Sequence, residues 1–149
     1  MTVLKGDKYD ITASLLHDIG HVLKEPISPD TGKDDYHEYV GYKFLHDLGF
    51  PDEVKLPILA HVKAKRYFAT IDPRYYKNLS DGSRLSFHLQ GGFLTRQEIS
   101  TFVKSSVFDR ALRVRISDDR GKSTYQTLTP PLEHYRNIVL STLKNTLKK

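Results

Sequence analysis

Nowhere in the 149 residues do apolar and polar side chains alternate for long enough to make a half-buried strand, whereas apolar residues recur three and four apart in segment after segment. Each such segment carries one apolar stripe, which predicts an all-α helical bundle. Asp7 is a candidate N-cap for a helix over 8–23, with Ile11, Leu15, Ile19 and Val22 at helical spacing. Pro26, Pro29 and Gly32 mark a loop over 24–33, and a second helix is predicted from 34 to 48, stopped at Gly49 by a left-handed C-cap. A third begins near Pro51-Asp52 and passes His61 to Tyr67, with Pro57 inside it, where a kink or a late start is expected. Asp72-Pro73-Arg74-Tyr75-Tyr76 reads as a short helical turn, and 80–89 as a short helix ended by Gly91-Gly92. Thr95 and Glu98 have capping-box spacing for a segment reaching Val103. Helices over 106–116 and 131–147 flank a predicted loop over 119–130, the last helix carrying Leu132, Ile138, Val139, Leu143 and Leu147. This length fits one domain over 1–149 with a real core.

The absence of cysteine excludes disulfides, zinc thiolates, iron-sulfur clusters and a thiol nucleophile. Any metal must then be held by His, Asp and Glu, a nitrogen and oxygen set that suits iron, manganese, zinc or magnesium. The net charge of +5 is modest and forms no dense basic stripe, so a nucleic-acid partner is not expected. The local cluster Lys63, Lys65 and Arg66 better suits a small anionic substrate. No apolar run approaches the roughly 18 residues that span a bilayer, and the N-terminus lacks a signal peptide's apolar core. No membrane partner is expected, and the cytoplasm is the expected compartment.

The run Ala13-Ser14-Leu15-Leu16-His17-Asp18-Ile19-Gly20-His21 carries the chemistry. A carboxylate beside an imidazole on a buried helix is costly unless something pairs with it, and a bound cation is a common solution. On a helix His17 and His21 share a face, with Asp18 three before His21. A His-Asp pair alone is more often a surface pair or a satisfied core hydrogen bond. His37 and His61, each among apolar or aromatic neighbours on a separate helix, favour the cation, because bundles build metal sites from facing helices. His46-Asp47 is a decoy, since at about 100° per residue His46 points away from the His37 face. His88 and His134 receive no role. Asp118 and Asp119 fall at the predicted end of a helix, where carboxylates oppose the dipole: a metal or an adjacent arginine would stabilise them, and taken alone they read as a solvated Asp-Asp-Arg-Gly turn.

These features together resemble the HD-domain superfamily, and more closely its di-iron oxygenase branch, which includes myo-inositol oxygenase and the oxygenases that cleave hydroxylated phosphonates. The likeness rests on Leu16-His17-Asp18-Ile19-Gly20-His21, on His37 with Gly41 and Leu48-Gly49-Phe50, and on His61-Val62-Lys63-Ala64-Lys65-Arg66-Tyr67. It continues through Asp72-Pro73, Tyr75-Tyr76, Leu79-Ser80, Ser83, Gln90-Gly91-Gly92 and Arg113 to Asp118, covering roughly residues 10–122. The resemblance implies two iron ions, with manganese or zinc as other divalent candidates. Asp18 would bridge them, His17 and Asp118 binding one and His37 and His61 the other. Lys65, Ser83, Ser86 and His21 would hold an anionic substrate group, phosphonate or phosphate, and Asp18, His21 and Lys65 would be the catalytic residues.

The likeness departs in one respect. The family carries a further histidine ligand before the His-Asp helix, and no histidine lies between Met1 and Leu16. The expectation is that the chain is a fragment or starts downstream, that a partner or solvent supplies the ligand, or that the site is lost. A core face left open there would favour a homodimer or a truncation. Three functions follow: a di-iron oxygenase cleaving a small hydroxylated organophosphonate, an HD-type metal-dependent phosphohydrolase, or a catalytically silent HD-domain scaffold.

Overall fold

The computed structural model describes residues 6–23, 36–123 and 132–147. All regular structure among them is helical: α1 (Lys8–Leu16), α2 (Ile19–Leu23), α3 (His37–Asp47), α4 (Asp52–Ile71), α5 (Pro73–Asn78), α6 (Asp81–Leu89), α7 (Arg96–Val103), α8 (Phe108–Ser123) and α9 (Leu132–Leu147). The all-α expectation is met. The predicted loop over 24–33, the start of the second helix at 34 and the stretch 124–131 lie outside the described residues.

α4 is the axis of the bundle, packing against α1, α3, α5 and α8. Its N-terminal half buries Val54 and Ile58 against Ala13, Leu45, Phe50 and Val114, and its C-terminal half sets Ala64 against Phe102 and Ala111. Each fully buried Val, Leu or Ile side chain among them contributes about 1.5–3 kcal/mol. His61 and Lys65 lie on the same helix as these two clusters, at 2% and 3% exposure. Pro57 is accommodated inside α4, which starts at Asp52 without the expected delay.

Local chemistry sets the helix ends. Asp7 caps α1 in a capping box with Asp10, Thr95 and Glu98 form the box that starts α7, and Ser80 caps α6. Gly49 follows α3 at φ +90°, the left-handed conformation anticipated for it. Asp10 is buried and accepts from Arg110 Nη1 at 2.8 Å and from Arg113 Nε at 3.0 Å, which ties α1 to α8. That tie fixes the register between the end of α1, where His17 sits, and the helix that carries Asp118.

Two expectations fail. The single helix over 8–23 is broken at His17-Asp18, and of its predicted apolar stripe Leu15 and Val22 are exposed while Ile19 packs on the core. The sixth predicted helix does not stop at 116: α8 continues to Ser123, so Asp118 and Asp119 sit within it. The break is paired with a close approach. Gly20 packs against the backbone of His37, where a Cβ would fall 2.7 Å from the His37 carbonyl carbon and closer still to its oxygen. Substituting Gly20→Ala is expected to cost about 1–3 kcal/mol by overpacking, read as a lowered midpoint in urea unfolding, and to loosen His37 from Asp18. An unchanged midpoint would show that α2 and α3 do not meet this way.

Candidate metal centre

His17 Nδ1 lies 2.7 Å from the Ser14 carbonyl oxygen. A carbonyl only accepts, so Nδ1 carries the proton and Nε2 presents its lone pair when the ring is neutral. The same contact competes for the carbonyl that a continuing helix would give to the Asp18 N–H, a local reason for the break after Leu16. His61 repeats the device, Nδ1 donating to the Ile58 carbonyl at 2.6 Å. Anchoring one ring nitrogen on a backbone carbonyl is the usual way a metal-binding imidazole is oriented.

The Asp18 carboxylate lies between these rings. Its Oδ2 is 3.2 Å from His17 Nε2, while its Oδ1 is 3.5 Å from His37 Nε2 and 3.8 Å from both His61 Nε2 and His21 Nε2. Asp118 Oδ1 completes the His17 side at 3.3 Å. One carboxylate thus turns one oxygen to His17 and Asp118 and the other to His37 and His61. The Nε2 atoms of His37 and His61 are only 3.1 Å apart, and that of neutral His61 is an acceptor, so a proton or a cation has to stand between them.

His17 Nε2 is buried and makes no hydrogen bond, although two carboxylate oxygens lie within 3.3 Å of it, off the N–H direction. A buried ring nitrogen orphaned beside two carboxylates fits a shared cation, and the imidazole and carboxylate donor set suits iron, manganese or zinc. Donor atoms of His17, Asp18 and His61 lie within 4.8 Å of one another, as do those of Asp18, His21 and His37. His21 stacks on His37 with ring centroids 3.9 Å apart and planes at 20°. Near-parallel rings run their lone pairs side by side, a poor geometry for gripping one ion together, and His21 stays at the half-exposed rim.

The protonation pattern follows. Burial pushes His17 down, but the Asp118 and Asp18 carboxylates outweigh it and hold the imidazole up at about 10. Burial alone would raise Asp18, yet its contact with His17 keeps it well below the usual carboxylate range. His61, buried and facing His17 and His37, is pushed down to about 3. A positive charge is therefore held beside the two carboxylates, and a divalent cation would supply it in place of the proton.

Asp118 and Asp119 divide their work. Asp118 Oδ2 accepts from Arg115 Nη1 at 2.9 Å while its Oδ1 faces His17. Asp119 accepts from Tyr75 Oη at 2.7 Å and from Arg115 Nη2 at 2.6 Å.

Lys65, one turn after His61, is buried and donates to Ser86 Oγ at 2.9 Å and to Gln90 Oε1 at 3.2 Å. Ser86 Oγ donates in turn to the Ser83 carbonyl at 3.0 Å, so Ser83 enters this chain of bonds through its backbone. Ser83 also lines a cavity of about 640 Å³ together with Tyr75, Arg115 and Asp119. Residue types and spacing alone assign no role to Gln90, Tyr75 or Arg115. The visible signal was the Gln90-Gly91-Gly92 run, whose two glycine carbonyls accept from Arg66 at 3.3 and 2.8 Å, and an arginine three before Asp118.

A helical domain with an Asp-bridged histidine cluster defines the class, and comparison with known proteins places it. The HD-domain family matches residues 6–88, and the chain belongs to that family. It is 34% identical over 147 residues to an uncharacterised protein of Acanthamoeba polyphaga mimivirus, covering 95% of this chain and 66% of that one. It is 37% identical over 139 residues to the hydroxymethylphosphonate dioxygenase of Gimesia maris, covering 91% and 68%. With the 1-hydroxy-2-(trimethylamino)ethylphosphonate dioxygenase (glycine-betaine-forming) of Leisingera caerulea it shares 36% identity over 131 residues, covering 87% and 66%. The chain spans about two thirds of the length of these relatives. Among the described residues no helix is long and apolar enough to cross a membrane.

The raised His17 has a measurable consequence. In chelator-treated protein the folded state keeps a proton that the unfolded chain releases above its ordinary value of 6.5. Its stabilisation is complete below that value and is lost as pH rises towards about 10. Thermal midpoints of the metal-free protein are expected to fall across this window, and the fall should be smaller in His17→Gln. Equal slopes in both proteins would contradict the ion pairing.

Proposed function

We propose that this chain is the helical core of a metal-dependent oxygenase that cleaves a small hydroxylated organophosphonate. The observation that carries the proposal is the Asp18 carboxylate, whose two oxygens face separate ligand sets within reach of one another. His17 and Asp118 would hold one ion, His37 and His61 the other, and Asp18 would be shared, with iron the metal that this nitrogen and oxygen donor set and a reaction with dioxygen favour. When bound, such a pair supplies Lewis acidity towards a substrate hydroxyl and redox chemistry towards dioxygen.

The protein's own contribution is orientation and charge. Lys65 brings a buried ammonium held by Ser86 Oγ and Gln90 Oε1, a fixed positive charge that would attract a phosphonate oxygen. The carbonyl-anchored rings of His17 and His61 keep their Nε2 atoms in place without reorganisation. His21, half exposed and 3.8 Å from Asp18 Oδ1, is positioned to donate to or accept from a substrate group entering at the rim.

The test is turnover of hydroxymethylphosphonate by iron-loaded protein, following oxygen uptake and phosphate release. Uptake of dioxygen coupled to phosphate release is expected. Phosphate release from phosphate esters at the same rate without dioxygen would overturn the oxygenase reading in favour of a phosphohydrolase. Asp18→Ala is expected to abolish metal binding measured by elemental analysis. Lys65→Ala should keep the metal and raise KM by one to two orders of magnitude, the effect of losing a charge-assisted bond worth about 1.5–3 kcal/mol.

A further inference from the structure

Arg115 is the least expected residue near the centre: a guanidinium with 4% exposure, placed within the bundle on α8. Each of its three nitrogens makes a different bond. Nη1 donates to Asp118 Oδ2 at 2.9 Å, Nη2 to Asp119 Oδ1 at 2.6 Å, and Nε to Tyr75 Oη at 2.8 Å. Tyr75 Oη donates to Asp119 Oδ2 at 2.7 Å, which closes a ring made of Tyr75, Asp119 and the guanidinium itself. Burial opposes deprotonation of the Tyr75 hydroxyl and pushes it up, so the hydroxyl remains a donor throughout the working range.

Asp118 joins this ring to the histidines. Its Oδ2 is taken by Arg115, and its Oδ1 is the atom directed at His17. We infer that Arg115, locked by Tyr75 and Asp119, is a positioning residue that fixes the Asp118 carboxylate so that a single oxygen is presented to a metal at His17. The inference rests on the proposed role of Asp118 and His17 as ligands. A guanidinium bound to one oxygen restrains rotation about the carboxyl axis, disfavours two-oxygen chelation and draws charge from the ligating atom. A lysine cannot substitute, because one ammonium does not present the planar fork that reaches Asp118, Asp119 and Tyr75 together.

The ring also borders open space. Tyr75, Arg115 and Asp119 line the cavity of about 640 Å³, and Tyr75 and Asp119 line a second one of about 400 Å³. Removing the Tyr75 hydroxyl leaves its ring in place against Phe68.

The experiment is a titration of the whole chain with Mn²⁺, which binds oxygen and nitrogen donors and is visible by electron paramagnetic resonance. Wild type, Tyr75→Phe and Arg115→Lys are compared, with thermal midpoints of each metal-free protein measured in parallel. The wild type is expected to bind two ions. Both variants should weaken one of them by about 10- to 100-fold, the range for lost outer-shell partners, and leave the other unchanged. Tyr75→Phe loses two hydrogen bonds and should lower the metal-free midpoint slightly while weakening only the one ion, and it decides the matter if Arg115→Lys fails to fold. Wild-type binding of both ions in Tyr75→Phe, or equal weakening of both ions together with a lowered midpoint, would overturn the inference. A wild type that binds no Mn²⁺ would instead overturn the ligand assignment beneath it.

Discussion

The Asp18 carboxylate, set between His17 on one side and His37 and His61 on the other, is the constraint that the rest of the structure serves. Three elements must meet at one anion: the broken end of α1, the first residue of α3 and the middle of α4. Bringing three imidazoles around a carboxylate is unfavourable unless their protons are managed, and the backbone manages two of them. Ser14 and Ile58 carbonyls take the Nδ1 protons of His17 and His61, which leaves the Nε2 atoms turned inwards. The remaining positive charge is carried on His17 in the metal-free protein, pinned there by Asp18 and Asp118.

The scaffold around this point is arranged to hold distances. The Asp10 carboxylate, bonded to Arg110 and Arg113, fixes α1 on α8 and therefore His17 on Asp118. Contact between Gly20 and the His37 backbone fixes α2 on α3. Burial of Val54 and Ile58 places α4 so that His61 reaches the same carboxylate. The same contacts carry stability and fix the spacing of the cluster, so the residues that look structural are also those that set where His17, His37, His61 and Asp118 stand around Asp18.

Much of this was legible from residue types and spacing. The helical class, the caps at Asp7, Ser80 and Thr95, the stop at Gly49 and the convergence of His17, Asp18, His37 and His61 all depend on local chemistry or on which helix carries which donor. The break at His17-Asp18 was not legible, because apolar periodicity continues through it. What opposes the helix is a side chain taking a carbonyl and a glycine pressed against a distant backbone, neither of which leaves a periodic trace. The end of α8 was misplaced for a related reason. An Asp-Asp-Arg-Gly run has the composition of a turn, and only the buried arginine one turn earlier, bonded to both carboxylates, makes it helical. Family membership, shown by the match over residues 6–88, agrees with the motif reading, while Tyr75, Gln90 and Arg115 became visible only through their hydrogen bonds.

The measurement that bears most directly on the central claim is an anomalous difference map from crystals soaked in Mn²⁺. Two peaks are expected on either side of the Asp18 carboxylate, one within about 2.0–2.4 Å of His17 and Asp118 donor atoms and the other equally close to His37 and His61. Peaks elsewhere, or none at Asp18 in a saturated crystal, would contradict the account.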